Sequence, residues 1–153
     1  MSRETVHGTC VALGRTAALL RGPSGSGKSD LALRFLFLAR RGPAALEAPK
    51  LVADDQVVLS RDGGTIRVRP PDTIAGKLEV RGVGIVEVKW APEADLALIV
   101  DLVPPDQVER MPPHETIDIL GLHVERLKLT PFEASAPIKL AAAMARARAG
   151  SAD

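Results

Sequence analysis

Aromatic residues are scarce in this chain: no tyrosine, one tryptophan and three phenylalanines amount to 3% of it. A binder of single-stranded nucleic acid that stacks bases on rings is therefore not expected. An excess of charge of one sign is lacking too. Twenty basic residues meet nineteen acidic ones, for a formal net charge of +1. Proteins that grip a phosphate backbone usually carry a clustered basic surplus, so no nucleic-acid partner is expected and any anion site has to be local. Cysteine occurs once, at Cys10, which excludes an internal disulfide framework and leaves no second thiol for a zinc site. Cys10 is expected as a small, half-buried hydrophobe in a strand. No run approaches the ~18 consecutive apolar residues that cross a bilayer, so no membrane partner is expected. The opening "MSRETVHGTC" has no apolar stretch of the kind that directs secretion, and a cytoplasmic location is the expectation.

With 153 residues and 46% hydrophobic content, the chain can bury one core, and a single domain over residues 1–153 is expected. "VHGTCVAL" and "TAALLRG" read as strands joined by a tight turn at Gly14-Arg15. From Asp30 to Arg41, apolar residues at Leu31, Leu33, Phe35, Leu36 and Leu38 predict a helix with a broad buried face. Arg40, Arg41, Gly42 and Pro43 supply its stop, and "PAALEAP" a connecting loop. "KLVADDQVVLS" and "TIRVRP" read as strands around an Asp62-Gly63-Gly64 turn. "LEVRGVGIVEV" is strand-like but interrupted by Gly82 and Gly84, and "ADLALIVDLV" suits a strand buried on both faces. The proline-rich "PPDQVERMPPHET" predicts an exposed loop, "TIDILGLHVERLKL" a hairpin or bent strand, and "APIKLAAAMARARAG" a closing helix. Many strands with two clear helices make a mixed α/β domain.

The stretch "GPSGSGKS" carries the strongest chemistry. Gly22, Pro23, Ser24, Gly25, Ser26, Gly27, Lys28 and Ser29 match the phosphate-loop pattern G-x-x-x-x-G-K-[ST] in full, between a predicted strand and a predicted helix. Glycines allow the backbone N–H groups to point inward, and the helix N-terminus adds a positive dipole end. Lys28 is expected to reach the outer phosphates of a nucleotide and Ser29 to ligate magnesium. "VADD" places Asp54 and Asp55 directly after an apolar run. One can serve the metal shell while the other accepts a proton; the competing reading is a solvated strand end. In "LEVRGVGIVEV", Glu79 and Arg81 share a strand face beside two glycines, which signals a bulge or close backbone approach or else an irregular edge strand with solvated charges. His7 reads as a core histidine or a site residue, and Arg110 by default as a solvated loop arginine. Trp90 is expected at the domain edge.

Together, "HG" near the start, "GPSGSGKS", "VADD" and "LEVRGVGIVEV", in that order, resemble the catalytic domain of the HPr kinase/phosphorylase family. The resemblance runs from about His7 to the closing helix and is similar to the catalytic-domain-only forms of alphaproteobacteria. It implies a P-loop nucleotide-binding core with a mixed sheet, similar to phosphoenolpyruvate carboxykinase, assembled as hexamers. It implies ATP and magnesium as cofactors, and phosphorylation of a serine in HPr or its nitrogen-branch paralogue, carriers of the phosphotransferase system. Reversal with inorganic phosphate, releasing pyrophosphate, is implied for many members. Carried over by motif, His7 and Lys28 match active-site positions, and Ser29 and Glu79 match magnesium ligands. Asp55 matches the acid that takes the serine proton, leaving Asp54 for the metal shell, and Arg110 in "VERMP" matches the catalytic arginine.

Two other classes compete. A small-molecule P-loop kinase or carboxykinase-like enzyme would need a further pocket or lid, for which 153 residues leave little room. A non-catalytic nucleotide sensor would be expected to lose the base or the metal acid, yet Asp54, Asp55 and Glu79 are all present. The direction of the reaction has its own signal. Where the family continues with a proline and a basic, glycine-containing turn, this chain has "TPFEASAP", with Glu133 and no glycine, lysine or arginine. An acid there repels inorganic phosphate and missing cations hold it poorly, so a better kinase than phosphorylase is expected, unless Arg110 or Lys139 fills the gap.

The metal role carried to Glu79 separates it from its strand neighbour. Glu79→Ala should raise the magnesium concentration needed for activity, while Arg81→Ala should leave it unchanged. Magnesium titrations of the two variants decide this, and indistinguishable curves remove Glu79 from the metal site.

Overall fold

The stretch expected as one strand from Val6 to Leu13 is two strands, β1 (Arg3–His7) and β2 (Thr9–Leu13), with a bend at Gly8. In the computed structural model, which describes residues 2–38, 48–72 and 75–151, a Cβ at Gly8 would stand 2.9 Å from the Leu20 carbonyl oxygen and 2.9 Å from Leu19 Cδ1. Only glycine lets the chain bend there without displacing its neighbour. β3 (Thr16–Arg21) follows the expected tight turn, in which Gly14 adopts φ +59°. Helix α1 (Lys28–Leu36) starts earlier than its apolar period suggests, because Gly27, at φ +98°, already serves as its N-cap. It ends at a Phe37 C-cap, and the stop expected at Arg40 to Pro43 lies outside the described residues.

The second stretch expected as one strand is likewise broken. β4 (Pro49–Ala53) and β5 (Gln56–Asp62) flank Asp54 and Asp55, with Asp55 at φ +73°. β6 (Thr65–Arg69) returns after the Gly63 turn. β7 (Lys77–Val80) and β8 (Gly84–Glu87) form a separate two-stranded sheet. Of the alternatives the sequence leaves open here, its glycines decide against a close backbone approach. A Cβ at Gly82 or Gly84 would meet nothing within 4 Å, and each holds a left-handed φ (+90° and +113°) that the turn requires. β9 (Ala94–Leu102) precedes the exposed proline-rich loop, which contains a 3-10 turn at Pro105–Gln107. β10 (Thr116–Ile119) and β11 (Leu122–Leu129) make the expected hairpin, and α2 (Ala136–Ser151) closes the described chain.

Among the described residues the large sheet has nine strands and runs β1-β5-β6-β9-β3-β2-β4, with β11 pairing β9 and β10 pairing β11. β3 and β11 lie parallel to β9, and the other pairings are antiparallel. The fold is thus a mixed α/β arrangement around a large mixed sheet. Period-two alternation divides the core into two clusters. Val11, Leu13, Ala18, Leu20, Leu98 and Val100 face α1 and α2, meeting Leu31, Phe35, Leu140 and Met144. Cys10, Ala12, Ala17, Leu19, Val57, Val68 and Ile99 fill the other face. A register shift between Ala17 and Ala18 opposite β9 puts Leu96 and Ile99 on one face although they are three apart. Cys10 is fully buried, not half-buried, and burial pushes its thiol pKa far up, so it is inert. Trp90 sits at the edge as expected, bridging to Leu51 and lying over Gly76, where a Cβ would come within 2.6 Å of its ring. Among the described residues no helix is long and apolar enough to cross a membrane.

The strand that feeds the glycine-rich loop is pinned by charge. Arg21 and Asp101 are in register across β3 and β9. Arg21 Nε and Nη2 donate to the two carboxylate oxygens at 2.8 and 3.0 Å, and Arg126 Nε donates to Oδ2 at 2.5 Å. Burial raises the Asp101 pKa, but the hydrogen bonds from Arg21 and Arg126 outweigh it and hold the carboxyl below its ordinary value. A group with a depressed pKa stabilises the fold above its unfolded value, about 3.9, and loses that contribution as pH falls through the folded one. Asp101→Asn should therefore cost about 3 kcal/mol at neutral pH, read as a shifted denaturant midpoint. The gap to the native protein should close in acid. A gap unchanged down to about pH 2 would show that the carboxylate charge is not its source.

Candidate active site

Gly22 to Ser29 wrap between β3 and the start of α1. Gly25 and Gly27 hold left-handed φ values of +82° and +98°, which the wrap requires. At Gly22 a Cβ would come within 2.5 Å of Ser26 Oγ, a hydroxyl that is itself buried without a hydrogen-bond partner. Lys28 is only 8% exposed, and its ammonium donates to the carbonyls of Gly22 at 2.6 Å and Pro23 at 3.0 Å. A buried cation is thus held inside its own loop, with backbone oxygens as its partners.

Opposite the loop stands the break between β4 and β5. The Gln56 N–H donates to the Asp54 carbonyl at 2.9 Å, a one-residue turn centred on Asp55. Left-handed backbone at a non-glycine residue costs about 1–3 kcal/mol and persists only where its surroundings enforce it. Here Gly8 N–H donates to the Asp55 carbonyl at 3.0 Å, and His7 Nδ1 lies 3.5 Å from Asp55 Oδ1. The result is an exposed Asp55 side chain beside a half-buried Asp54.

Asp54 is the hub. Its Oδ1 accepts hydrogen bonds from Ser29 Oγ at 2.8 Å and from Thr9 Oγ1 at 2.9 Å, and its Oδ2 accepts the Glu79 amide at 3.4 Å. Leu78 anchors the β7 strand in the core beneath α1, so Glu79, the next residue, points outward at the cleft. The cleft holds about 540 Å³ and is lined by His7, Thr9, Ser24, Gly25, Gly27, Lys28, Ser29, Asp30, Leu33, Asp54, Asp55, Glu79, Val80, Arg81 and Phe132. It therefore gathers His7, Lys28, Ser29, Asp54, Asp55 and Glu79 in one place. Arg110 is not among the lining residues; it lies exposed on the proline-rich loop.

Among the other lining residues, the sequence singles out neither Thr9 nor Phe132, and it names Arg81 only beside Glu79. Thr9 had a legible signal, a lone hydroxyl heading the strand "TCVAL", all of which is buried. Phe132 gave no signal; its exposed ring lies against Gly27, where a Cβ would meet it at 2.9 Å. Its segment is pinned by Arg34, which donates to the carbonyls of Pro131 and, at 3.2 Å, Glu133. Glu133 itself is paired with Lys139 at 2.5 Å. Lys139, one of the two cations the sequence offers as an alternative for this segment, is thus beside Glu133. The lack of a free cation on Thr130 to Pro137 stands.

Among the described residues no three His, Cys, Asp or Glu side chains converge as a metal cage. The donor set still suits magnesium, which takes one or two carboxylates plus phosphate oxygens and water rather than an all-protein cage. Ser29, Asp54 and Glu79 supply a hydroxyl and two carboxylates at one edge of the loop.

The sequence pattern that defines the HPr Serine kinase C-terminal domain matches residues 1–147. The chain belongs to that family. It is 32% identical over 139 residues to the HPr kinase/phosphorylase of Streptococcus thermophilus (strain ATCC BAA-491 / LMD-9), covering 83% of this chain and 42% of that protein. It is 37% identical over 137 residues to the HPr kinase/phosphorylase of Bordetella pertussis (strain Tohama I), covering 82% of this chain and 42% of that protein. The HPr kinase-family chain thus spans about two fifths of the length of these relatives. Its fold is similar to that of the Hpr(Ser) kinase/phosphatase from Coxiella burnetii, with TM-score 0.78 and 20% identity over 97% of this chain and 92% of that one.

Lys28→Ala removes the one buried cation of the loop while leaving the β3–α1 junction to its glycines. Nucleotide affinity should fall by at least about tenfold, the worth of one hydrogen bond to a charged group. Calorimetric titration with ATP measures it, with a circular dichroism spectrum to establish that the fold is kept. Undiminished affinity in the folded variant would take Lys28 out of the site.

Proposed function

We propose that this domain transfers the terminal phosphoryl group of ATP to a serine hydroxyl of an HPr-type carrier protein. The single observation that carries the reading is the convergence of Lys28, Ser29, Asp54, Asp55 and Glu79 on one cleft behind a glycine-rich loop. Gly22 to Ser29 act as a phosphate loop, within a nucleotide-binding core of the carboxykinase type that the family resemblance implies. Residues 1–153 work as one kinase domain, and by the same resemblance copies assemble into a homo-oligomer, a hexamer in the family.

Phosphoryl transfer asks mainly for alignment and charge neutralisation. Lys28 turns from its loop carbonyls to the outer phosphate oxygens. Ser29, Asp54 and Glu79 would hold magnesium, which would neutralise charge on the transferring group. Asp55 takes the proton of the carrier's serine hydroxyl as its oxygen bonds to the terminal phosphorus and the bond to ADP breaks. The exposure of Asp55 suits this role, because a protein substrate has to reach the base from outside, and His7 at 3.5 Å steadies the carboxylate. In reverse, inorganic phosphate attacks the phosphoserine phosphorus, the bond from that phosphorus to the serine oxygen breaks, Asp55 returns its proton to that oxygen, and pyrophosphate is the product. The kinase direction is favoured, since residues 130–137 offer no lysine or arginine to hold the attacking phosphate. A nucleotide sensor has no use for an enforced, strained Asp55.

The direct test is incubation with labelled ATP, magnesium and each candidate carrier, followed by mapping of the labelled residue. Label on a serine of the carrier supports the reading; none on any carrier overturns it. Asp55→Asn sharpens it, because asparagine tolerates the same left-handed backbone and so changes the carboxylate alone. Nucleotide affinity should stay the same while transfer falls by roughly 100-fold or more, the worth of a general base. Equal losses in affinity and rate would move Asp55 into the metal shell.

A further inference from the structure

We propose that Thr9 is a positioning residue for the metal–nucleotide site, its buried hydroxyl fixing the Asp54 carboxylate and, through it, the Ser29 hydroxyl. The inference rests on the nucleotide-binding reading above and adds a residue that no part of that reading requires. Thr9 is fully buried, and among the described residues the buried polar or charged side chains are Thr9, Lys28 and Thr130. A buried hydroxyl left unpaired is costly. Thr9 spends its single proton on Asp54 Oδ1, at 2.9 Å.

Its place in the sheet gives that bond leverage. Thr9 is in register with Leu20 on the strand that enters the glycine-rich loop. Its neighbour Cys10 is in register with Ala53, the last residue before Asp54, and the ladder shifts register right after it. Thr9 therefore stands where the strand feeding the loop and the strand feeding the acids are both one residue away. Threonine is stiff at χ1 because its β-carbon is branched, so the hydroxyl is aimed by the sheet itself. Asp54 Oδ1 then has two fixed donors, Thr9 and Ser29. With its proton committed to Asp54, Ser29 keeps its oxygen lone pairs for a cation. Without Thr9 the carboxylate can rotate about its own bonds, and Ser29 loses its fixed acceptor.

Outer partners of metal ligands typically contribute 10–100-fold to metal affinity. The test compares the folded native chain with Thr9→Val, which fills the site but has no proton, Thr9→Ser, which restores the hydroxyl, and Thr9→Cys, a weak donor. Binding of a non-hydrolysable ATP analogue is measured by calorimetry across a magnesium titration, alongside thermal melts. Thr9→Val should raise the half-saturating magnesium concentration by roughly tenfold or more, leave binding without magnesium unchanged, and Thr9→Ser should recover most of the loss, with Thr9→Cys between. A purely structural role would lower the melting temperature without moving the magnesium midpoint. That result, or Thr9→Ser as impaired as Thr9→Val, overturns the proposal while the nucleotide reading stands. A native chain showing no magnesium-dependent nucleotide binding overturns the reading and this inference with it.

Discussion

The corner at which two strand pairs bend together governs the rest of the site. Gly8 ends β1 and opens β2 at the level where Asp54 and Asp55 part β4 from β5, and the Gly8 N–H to Asp55 carbonyl bond at 3.0 Å ties the two breaks. Without the bend, β2 and β4 would run straight on as β1 and β5, and the acids would alternate across a sheet face. With it, His7 and Thr9 come to one side, Asp54 and Asp55 to the other, and all four line the cleft. The close approach of Leu19 and Leu20 to Gly8 explains why no side chain is admissible there. The strain at Asp55 is the local expense of the same geometry.

Around that corner the charges are arranged in three tiers of exposure. Lys28 is nearly buried and satisfied by loop carbonyls, Asp54 is half-buried and accepts two hydroxyl protons, and Asp55 stands in solvent next to His7. That gradient separates groups that hold a small ligand from the one that meets an incoming partner. Behind them the Arg21–Asp101–Arg126 cluster fixes the end of β3 against β9, and Arg126 Nη1 continues to Glu115 at 2.6 Å, at the foot of the proline-rich loop. The strand entering the glycine-rich loop is therefore anchored at its last residue, Arg21.

The segment after β11 shows the same division between anchorage and exposure. Pro131 and Glu133 are held by Arg34 of α1, and Glu133 by Lys139 of α2. The aromatic ring between them is left in solvent against Gly27. A fixed backbone that presents one exposed ring at the rim of a polar cleft limits how a ligand or partner can enter from the helix side.

Much of this was legible from local pattern. The glycine-rich loop ahead of an amphipathic helix, the doubly buried run of β9 and the hairpin around Gly121 each depend on residues adjacent in sequence, where backbone chemistry and side-chain period decide the outcome. What the sequence could not supply was the two mid-strand breaks: Gly8 and the Asp54-Asp55 pair are poor strand formers, but apolar runs on both sides of each read equally well as one continuous strand. Those breaks arise because β1 and β2 pair with different strands, as do β4 and β5, a matter of long-range register. Likewise the sequence leaves Gly82 and Gly84 open between a bulge, a close approach and an irregular edge strand, and only the turn geometry shows that they answer a backbone requirement. The sequence by itself determined which groups the protein owns: a loop lysine, a serine after it, paired acids and a glutamate. Tertiary structure decided that Thr9 bonds Asp54, that Lys139 pairs with Glu133 and that Arg110 stands outside the cleft lining. These are contacts or distances between residues far apart in the chain, and no local pattern encodes them.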